Sequence, residues 1–228
     1  PPEPINPFSA LAKNRYRGTI AESIIAMAMD LNIGSQKGLG EMFDGTIGAF
    51  SVLMPFGGKN QLTPSEGMAA HLPVAEGKTV TTSLMTYGFN PKIAHWSPFH
   101  GGLYAVLDSV TRLAAMGGDY KTARLTLQEY FEKLKKDPRR WGKPLAALLG
   151  AFTAEQALAI PAIGGKDSMS GSFKELNVPP CLLSFAVDIC GDQKVLSPEF
   201  KGPNHRLMLL LSKHDENLVP DFNRQKEI

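Results

Sequence analysis

The segment Ile163-Gly-Gly-Lys-Asp-Ser-Met-Ser-Gly171 constrains this chain more than any other. Paired glycines weaken a helix or a strand, so they are placed where the backbone must turn or approach something closely. Lys166 adds a cation, Ser168 and Ser170 add hydroxyl donors, and Asp167 adds a carboxylate. The apolar stretch Ala157 to Ile163 precedes the segment, and a strand-like stretch from Cys181 to Ile189 follows it. The segment is therefore predicted to be a loop between ordered elements, where functional side chains concentrate. Two readings stay open. One is a cradle for a phosphate or carboxylate ligand; the other is ordinary turn chemistry. A Walker A loop is excluded, because Ile160 stands where its first glycine is required and Asp167 follows the lysine where Ser or Thr belongs.

The chain has 228 residues, 43% hydrophobic and 20% charged, the balance of a globular domain with additions or of two small domains. A formal charge of +2 gives no broad basic footprint, so nucleic acid is not expected as a partner. The basic run Lys133 to Lys143 is interrupted by Asp137 and flanked by Glu132, and it reads as a solvated helix and turn. Cys181 and Cys190 bracket a predicted strand. Extended, they lie about 30 Å apart, beyond disulfide reach. Reduced cysteines fit a cytoplasmic chain. No run of about eighteen apolar residues marks a membrane span, and no signal peptide is evident. A first residue other than Met reads as a piece of a longer chain or a processed one.

Residues 1–18, rich in proline and basic residues, read as an extended arm. Thr19-Ile-Ala-Glu22 is a capping-box pattern, and Ile20, Ile24, Met27, Ala28 and Leu31 continue it as a helix stopped by Asn32 and Gly34. Thr46 to Met54, Met68 to Val74 and Thr79 to Thr86 read as strands, the last two joined across Ala75-Glu-Gly77. Leu103, Val106, Leu107, Val110, Leu113 and Ala114 predict a buried helix face that ends at Gly117-Gly118. A short strand over Arg124 to Leu127, helical material through Leu134, a helix from Pro144 to Ile160 and a strand around Leu183 to Ile189 follow. Leu196 to Pro203 reads as a linker and Arg206 to Ser212 as the opening strand of a further domain. The organisation expected is an arm (1–18), a main domain (19–196), and a linker with an incomplete second domain (197–228). Without strict βαβ alternation, the fold class is α+β, a mixed β-sheet with flanking helices.

Four acids are candidate ligands for a magnesium-bound nucleotide: Asp44 before a glycine, Glu76 between two strands, Asp108 on a helix, and Asp167. Each is equally a surface acid or turn former. Asp108 and Arg112, four apart, read either as a helical ion pair or as a pair beside a bound phosphate that Arg112 neutralises. His95 and His100 lack a third metal-ligand partner and read as loop or helix-start residues. Nothing supports a nucleophilic hydrolase.

A resemblance enters on segments that occur in one order: Leu31-Asn-Ile-Gly-Ser-Gln-Lys-Gly38, Met42-Phe-Asp-Gly-Thr-Ile-Gly48, Ser97-Pro-Phe-His-Gly101, Leu127-Gln-Glu-Tyr-Phe131, Arg140-Trp-Gly-Lys143 and Gly164-Gly-Lys-Asp-Ser-Met-Ser170. From about Glu22 onward the chain resembles the phosphoribosylformylglycinamidine synthase family. The resemblance implies a fold like the amino-terminal domain of aminoimidazole ribonucleotide synthetase, taken from the second of two pseudo-symmetric halves that pair through their sheets. It implies ATP- and glutamine-dependent conversion of formylglycinamide ribonucleotide to formylglycinamidine ribonucleotide in purine synthesis, with ammonia supplied by a separate glutaminase domain. ATP and Mg are the cofactors implied, other domains of a parent enzyme are partners, and a homodimer through sheet pairing is a further possibility. No catalytic side chain is assigned to this segment. Position by position, the resemblance implies nucleotide or substrate contacts for Ala75, Arg112, Gly164, Gly165, Lys166, Asp167 and Ser168. It implies metal contacts for Glu76, Asp108 and Asp44. Arg112 and Lys166 stand where relatives carry uncharged or acidic metal-binding residues, and a cation cannot ligate magnesium. These departures imply a structural nucleotide site or a wall of the substrate site.

Overall fold

The computed structural model describes residues 5–11, 18–31, 33–46 and 49–227. In chain order the elements are α1 (Pro7–Leu11), α2 (Ile20–Ala28), α3 (Lys37–Gly40), β1 (Ser51–Leu53), β2 (Phe56–Gly57), β3 (Thr63–Pro64), β4 (Gly67–His71) and β5 (Thr81–Gly88). There follow α4 (Pro91–Trp96), α5 (Pro98–Ala115), β6 (Arg124–Tyr130), α6 (Pro138–Leu158), β7 (Ala162–Lys166), β8 (Ser172–Phe173), β9 (Leu176–Asn177), β10 (Cys181–Gly191) and α7 (Phe222–Glu227).

The main sheet has the order β1-β4-β5-β10-β6-β7. Every neighbouring pair is antiparallel except β6 and β7, which run parallel. The mixed sheet with flanking helices expected from the sequence is present. Alternation decides its two faces. Thr82, Leu84 and Thr86 of β5, Leu182, Ser184 and Ala186 of β10, and Leu125 of β6 are buried beneath α5 and α6. Leu103, Val106, Val110 and Leu113 recur at helical spacing on α5 and fill the layer between. The hydroxyls on this face are all satisfied locally. Thr86 Oγ1 donates to Ser109 O at 2.6 Å, and Ser109 Oγ donates to Val106 O at 2.9 Å while lying 2.9 Å from Ser184 Oγ. The α5–α6 crossing depends on missing side chains. A Cβ at Gly102 would run into Ala147 O, and one at Gly150 would run into Phe99 O.

Several elements differ from expectation. The capping box of α2 forms, with Glu22 N donating to Thr19 Oγ1 at 3.2 Å and Thr19 N to Glu22 Oε2 at 2.7 Å. The helix ends at Ala28 rather than Leu31, because its apolar side chains Ile20, Ile24 and Met27 are exposed and pack on nothing that would extend it. The expected arm contains the helical turn α1, and its residues 1–4 and 12–17 lie outside the described residues. The expected strand from Thr46 shrinks to β1, since Ala49 turns the chain with a φ of 55°; Ile47, Gly48 and Asn32 also lie outside the described residues. β6 continues to Tyr130 instead of passing into helix, because β10 offers it hydrogen bonds along its whole length. Helix α6 starts at Pro138, where Asp137 caps it by accepting from Arg139 N at 2.9 Å, so Pro144 sits inside a helix rather than at its start. Arg206 to Ser212 forms no strand; among the described residues no neighbouring strand pairs with it, and Leu207 to Leu211 are exposed.

Both cysteines are free. Among the described residues no helix is long and apolar enough to cross a membrane.

Candidate functional site

The glycine segment is a strand through Lys166 and a loop only from Asp167 to Gly171. Ala162–Lys166 forms β7 at the edge of the sheet, with Gly164 opposite Thr126, Gly165 opposite Leu127 and Lys166 opposite Gln128. A Cβ at Gly165 would strike Leu127 O, so a side chain there would push β7 off the sheet. Gly164 has open space around it. The chain then turns but stays fastened to β6: Ser168 N donates to Glu129 O at 3.0 Å, Phe131 N to Ser168 O at 2.9 Å, and Gly171 N to Phe131 O at 2.9 Å. Ser168 Oγ lies 2.7 Å from Ser170 Oγ. Gly164, Gly165, Lys166, Asp167 and Ser168 thus form one contiguous surface at the carboxyl end of an exposed edge strand. A lysine, hydroxyls and an open backbone edge on one surface suit an anion with several oxygens.

Asp108 and Arg112 form a second locus on α5. Arg112 Nε is 3.1 Å from Asp108 Oδ1, and Arg112 Nη1 is 3.2 Å from Glu66 Oε2. The guanidinium also lies 4.9 Å from the centre of the Tyr87 ring. Burial works against its charge, but Asp108, Glu66 and Tyr87 outweigh burial and hold Arg112 above its ordinary value. The helical ion pair is made, and it lines a cleft of about 810 Å³ together with Asn90, Tyr104, Tyr120 and Lys226.

The remaining candidates lie apart. Asp44 is exposed and accepts from Thr46 N at 2.8 Å and Thr46 Oγ1 at 2.6 Å. Those hydrogen bonds, the side-chain one foremost, hold its carboxyl below the usual range. Ala75 and Glu76 are exposed in the connection from β4 to β5. That connection is at the amino end of β5, whereas the β7 turn is level with its carboxyl end. The 8 residues of β5 alone separate the two ends by about 26 Å. From β5, beneath α5, to β7 is three strand spacings, roughly 14 Å. Among the described residues, Glu76 and the β7 turn therefore do not line one cavity. Asp44, Glu76 and Asp108 do not fit one magnesium centre: Asp108 is committed to Arg112 and Glu76 is at the far end of the sheet. Among the described residues no three His, Cys, Asp or Glu side chains gather as a metal site.

Sequence reasoning missed two acids. Glu129 and Glu132 are both buried, at 6% and 4% exposure. Glu132 is paired with Arg140 at 3.0 Å and Lys143 at 2.5 Å, so the basic run is partly the counter-charge of one buried carboxylate rather than a wholly solvated face. Among the described residues, Glu129 Oε1 has no hydrogen-bond partner. Its burial raises its proton affinity to about 7, with the charge of Asp167 adding to the effect. A signal was present. Leu125, Leu127 and Glu129 occupy one side of an alternating stretch, and an acid in that place is anomalous.

No protein-family model matches the sequence, and no curated protein matches it. Solved structures do match. Thermotoga maritima PurL complexed with ADP aligns over 76% of this chain at 17% identity, with a TM-score of 0.58. The same organism's PurL complexed with FGAR aligns over 67% at 20% identity and a TM-score of 0.52. Phosphoribosylformylglycinamidine synthase II of Thermotoga maritima aligns over 67% at 20% identity and a TM-score of 0.50. The chain spans 22–27% of the length of these proteins. By this likeness the chain has the fold of a segment of the PurL structures.

Proposed function

We propose that this chain supplies nucleotide and substrate contacts to an ATP-dependent carbon–nitrogen ligase of the phosphoribosylformylglycinamidine synthase type, in purine synthesis. The observation that carries the reading is the Gly-Gly-Lys-Asp-Ser-Met-Ser segment, fastened to β6 at the carboxyl end of a parallel edge strand. It stands in a fold shared with PurL chains whose complexes hold ADP and FGAR. In the reaction, ATP phosphorylates the amide oxygen of formylglycinamide ribonucleotide and ammonia displaces the phosphate. The amide nitrogen donor is glutamine, hydrolysed in a glutaminase domain. The contribution of this chain is positioning and charge stabilisation. Gly164, Gly165 and Lys166 face the anion, Ser168 donates to it, and Asp167 orients it. Ala75 and Arg112 contact ligand held jointly with other domains. Asp44, Glu76 and Asp108 act, where they act on magnesium, each with oxygens from outside this chain. The domain division near residue 196 belongs to the same reading.

In an intact enzyme containing this segment, Ser168→Ala and Asp167→Ala are expected to lower kcat/KM at least tenfold, a loss of about 1.4 kcal/mol of transition-state stabilisation. Unchanged steady-state kinetics in both would refute the site.

A second reading, assembly through the sheet, is favoured by one observation. The sheet face opposite α5 and α6 carries Met68, Met85, Tyr87 and Ile189, all exposed. On this reading the face pairs with a second sheet, either a pseudo-symmetric partner domain or another copy.

A further inference from the structure

Glu129 sits where an apolar residue belongs. It follows Leu125 and Leu127 along β6 on the helix-covered face and is directly opposite Leu182 of β10. Its Oε1 meets no donor. An ionised carboxylate in such a place is strongly disfavoured, whereas a protonated one is tolerated. The β7 turn is stitched to β6 on both sides of it, through Glu129 O and Phe131 N, which brings the exposed Asp167 within reach of its charge. Other charged groups nearby do not neutralise it. Arg140 and Lys143 of α6 are bound to Glu132, and Lys166 points from β7 into solvent. No ion pair to Glu129 forms among the described residues.

We propose that Glu129 is a positioning residue that governs anion access to the β7 turn: protonated, it leaves only the charge of Asp167 there and admits a phosphate-bearing ligand, and ionised, it adds a second negative charge that repels it. The inference rests on the reading above that this turn takes a phosphorylated ligand. A buried charge is poorly screened by salt, so its effect on a neighbouring anion exceeds that of a surface acid. The proton is lost near neutral pH, since burial first and Asp167 second push its affinity up to about 7.

The test is calorimetry of magnesium-ATP binding to the chain at pH 6, 7 and 8, alongside carbon-13 NMR of the Glu129 carboxyl. The expected midpoint is near 7, with affinity falling about tenfold from pH 6 to pH 8. Glu129→Gln should hold its pH 6 affinity at pH 8, and Asp167→Asn should lower the Glu129 midpoint. A midpoint in the ordinary glutamate range overturns the inference, as does a pH dependence that survives in Glu129→Gln. Absence of binding at every pH with a midpoint near 7 overturns the ligand reading and the gate with it, while leaving the shared charge of the pair established.

Discussion

At the scale of single residues, buried acids separate into two kinds. Glu132 has two cations and Asp188 has two donors, Asp119 N at 2.8 Å and Thr122 Oγ1 at 2.9 Å. Glu129 has no partner for Oε1. Its folded-state affinity for a proton is raised from 4.5 to about 7. The folded chain therefore holds a proton that the unfolded chain releases between those values, and stability falls as pH rises through that window. The full effect is on the order of 3 kcal/mol above pH 7. Denaturant unfolding at pH 5 and pH 8 checks this: Glu129→Gln should flatten the decline and be the more stable protein at pH 8. Asp108 and Arg112 give a contrasting case, since the cation there is shared between Asp108 and Glu66. Replacing Arg112 by Leu frees both carboxylates and is expected to change ligand affinity of the cleft more than folding, because partly exposed pairs contribute only about 0–1 kcal/mol.

At the scale of elements, α5 organises the domain. It packs on β5 and β10 below and crosses α6 at Gly102 and Gly150. Leu103→Ala removes a fully buried side chain from this contact and should cost about 2–5 kcal/mol. Gly150→Ala should cost as much or more, because the backbone of Phe99 must retreat; thermal melts of both variants measure it. Elements with a complete local signal were legible in the sequence. α5 had its apolar stripe, α2 its Thr19–Glu22 box, and β10 the alternation of Leu183, Phe185, Val187 and Ile189 that marks it as a strand, though the face it buries beneath the helices is the other one, Leu182, Ser184 and Ala186. Elements defined by what lies beside them were not. β7 is a strand only because β6 supplies its hydrogen bonds across paired glycines that no local propensity would extend. The last residues of β6 were lost for the same reason, and with them the burial of Glu129. Arg206 to Ser212 has strand composition and no strand beside it. Gly164 to Ser168 are contiguous in the sequence and stay so on the surface, but sequence spacing gives no information on which end of a sheet Glu76 occupies.

At the scale of the whole molecule, one face of the sheet is covered and the other is open. Tyr87 and Ile189, 49% and 62% exposed, mark the open side, with Met68 and Met85 between them. An apolar surface of this kind on a chain with a formal charge of only +2 favours association. Sedimentation of the wild-type chain is expected to show a dimer that Ile189→Lys and Met85→Lys convert to monomer without loss of the far-ultraviolet spectrum; a wild-type monomer at all concentrations would reject pairing between copies of this chain. The parallel join of β6 to β7 has an outcome in time as well as in space. Its partners are separated by the whole of α6, and as an edge strand β7 is bonded on one side and leaves its other flank to solvent. The β7 turn is then the first portion to loosen, with amide exchange at Gly164 to Ser168 expected to outrun that of β10 by orders of magnitude. An anion resting there would act as the missing clasp, slowing that exchange while the remainder of the domain stays unchanged.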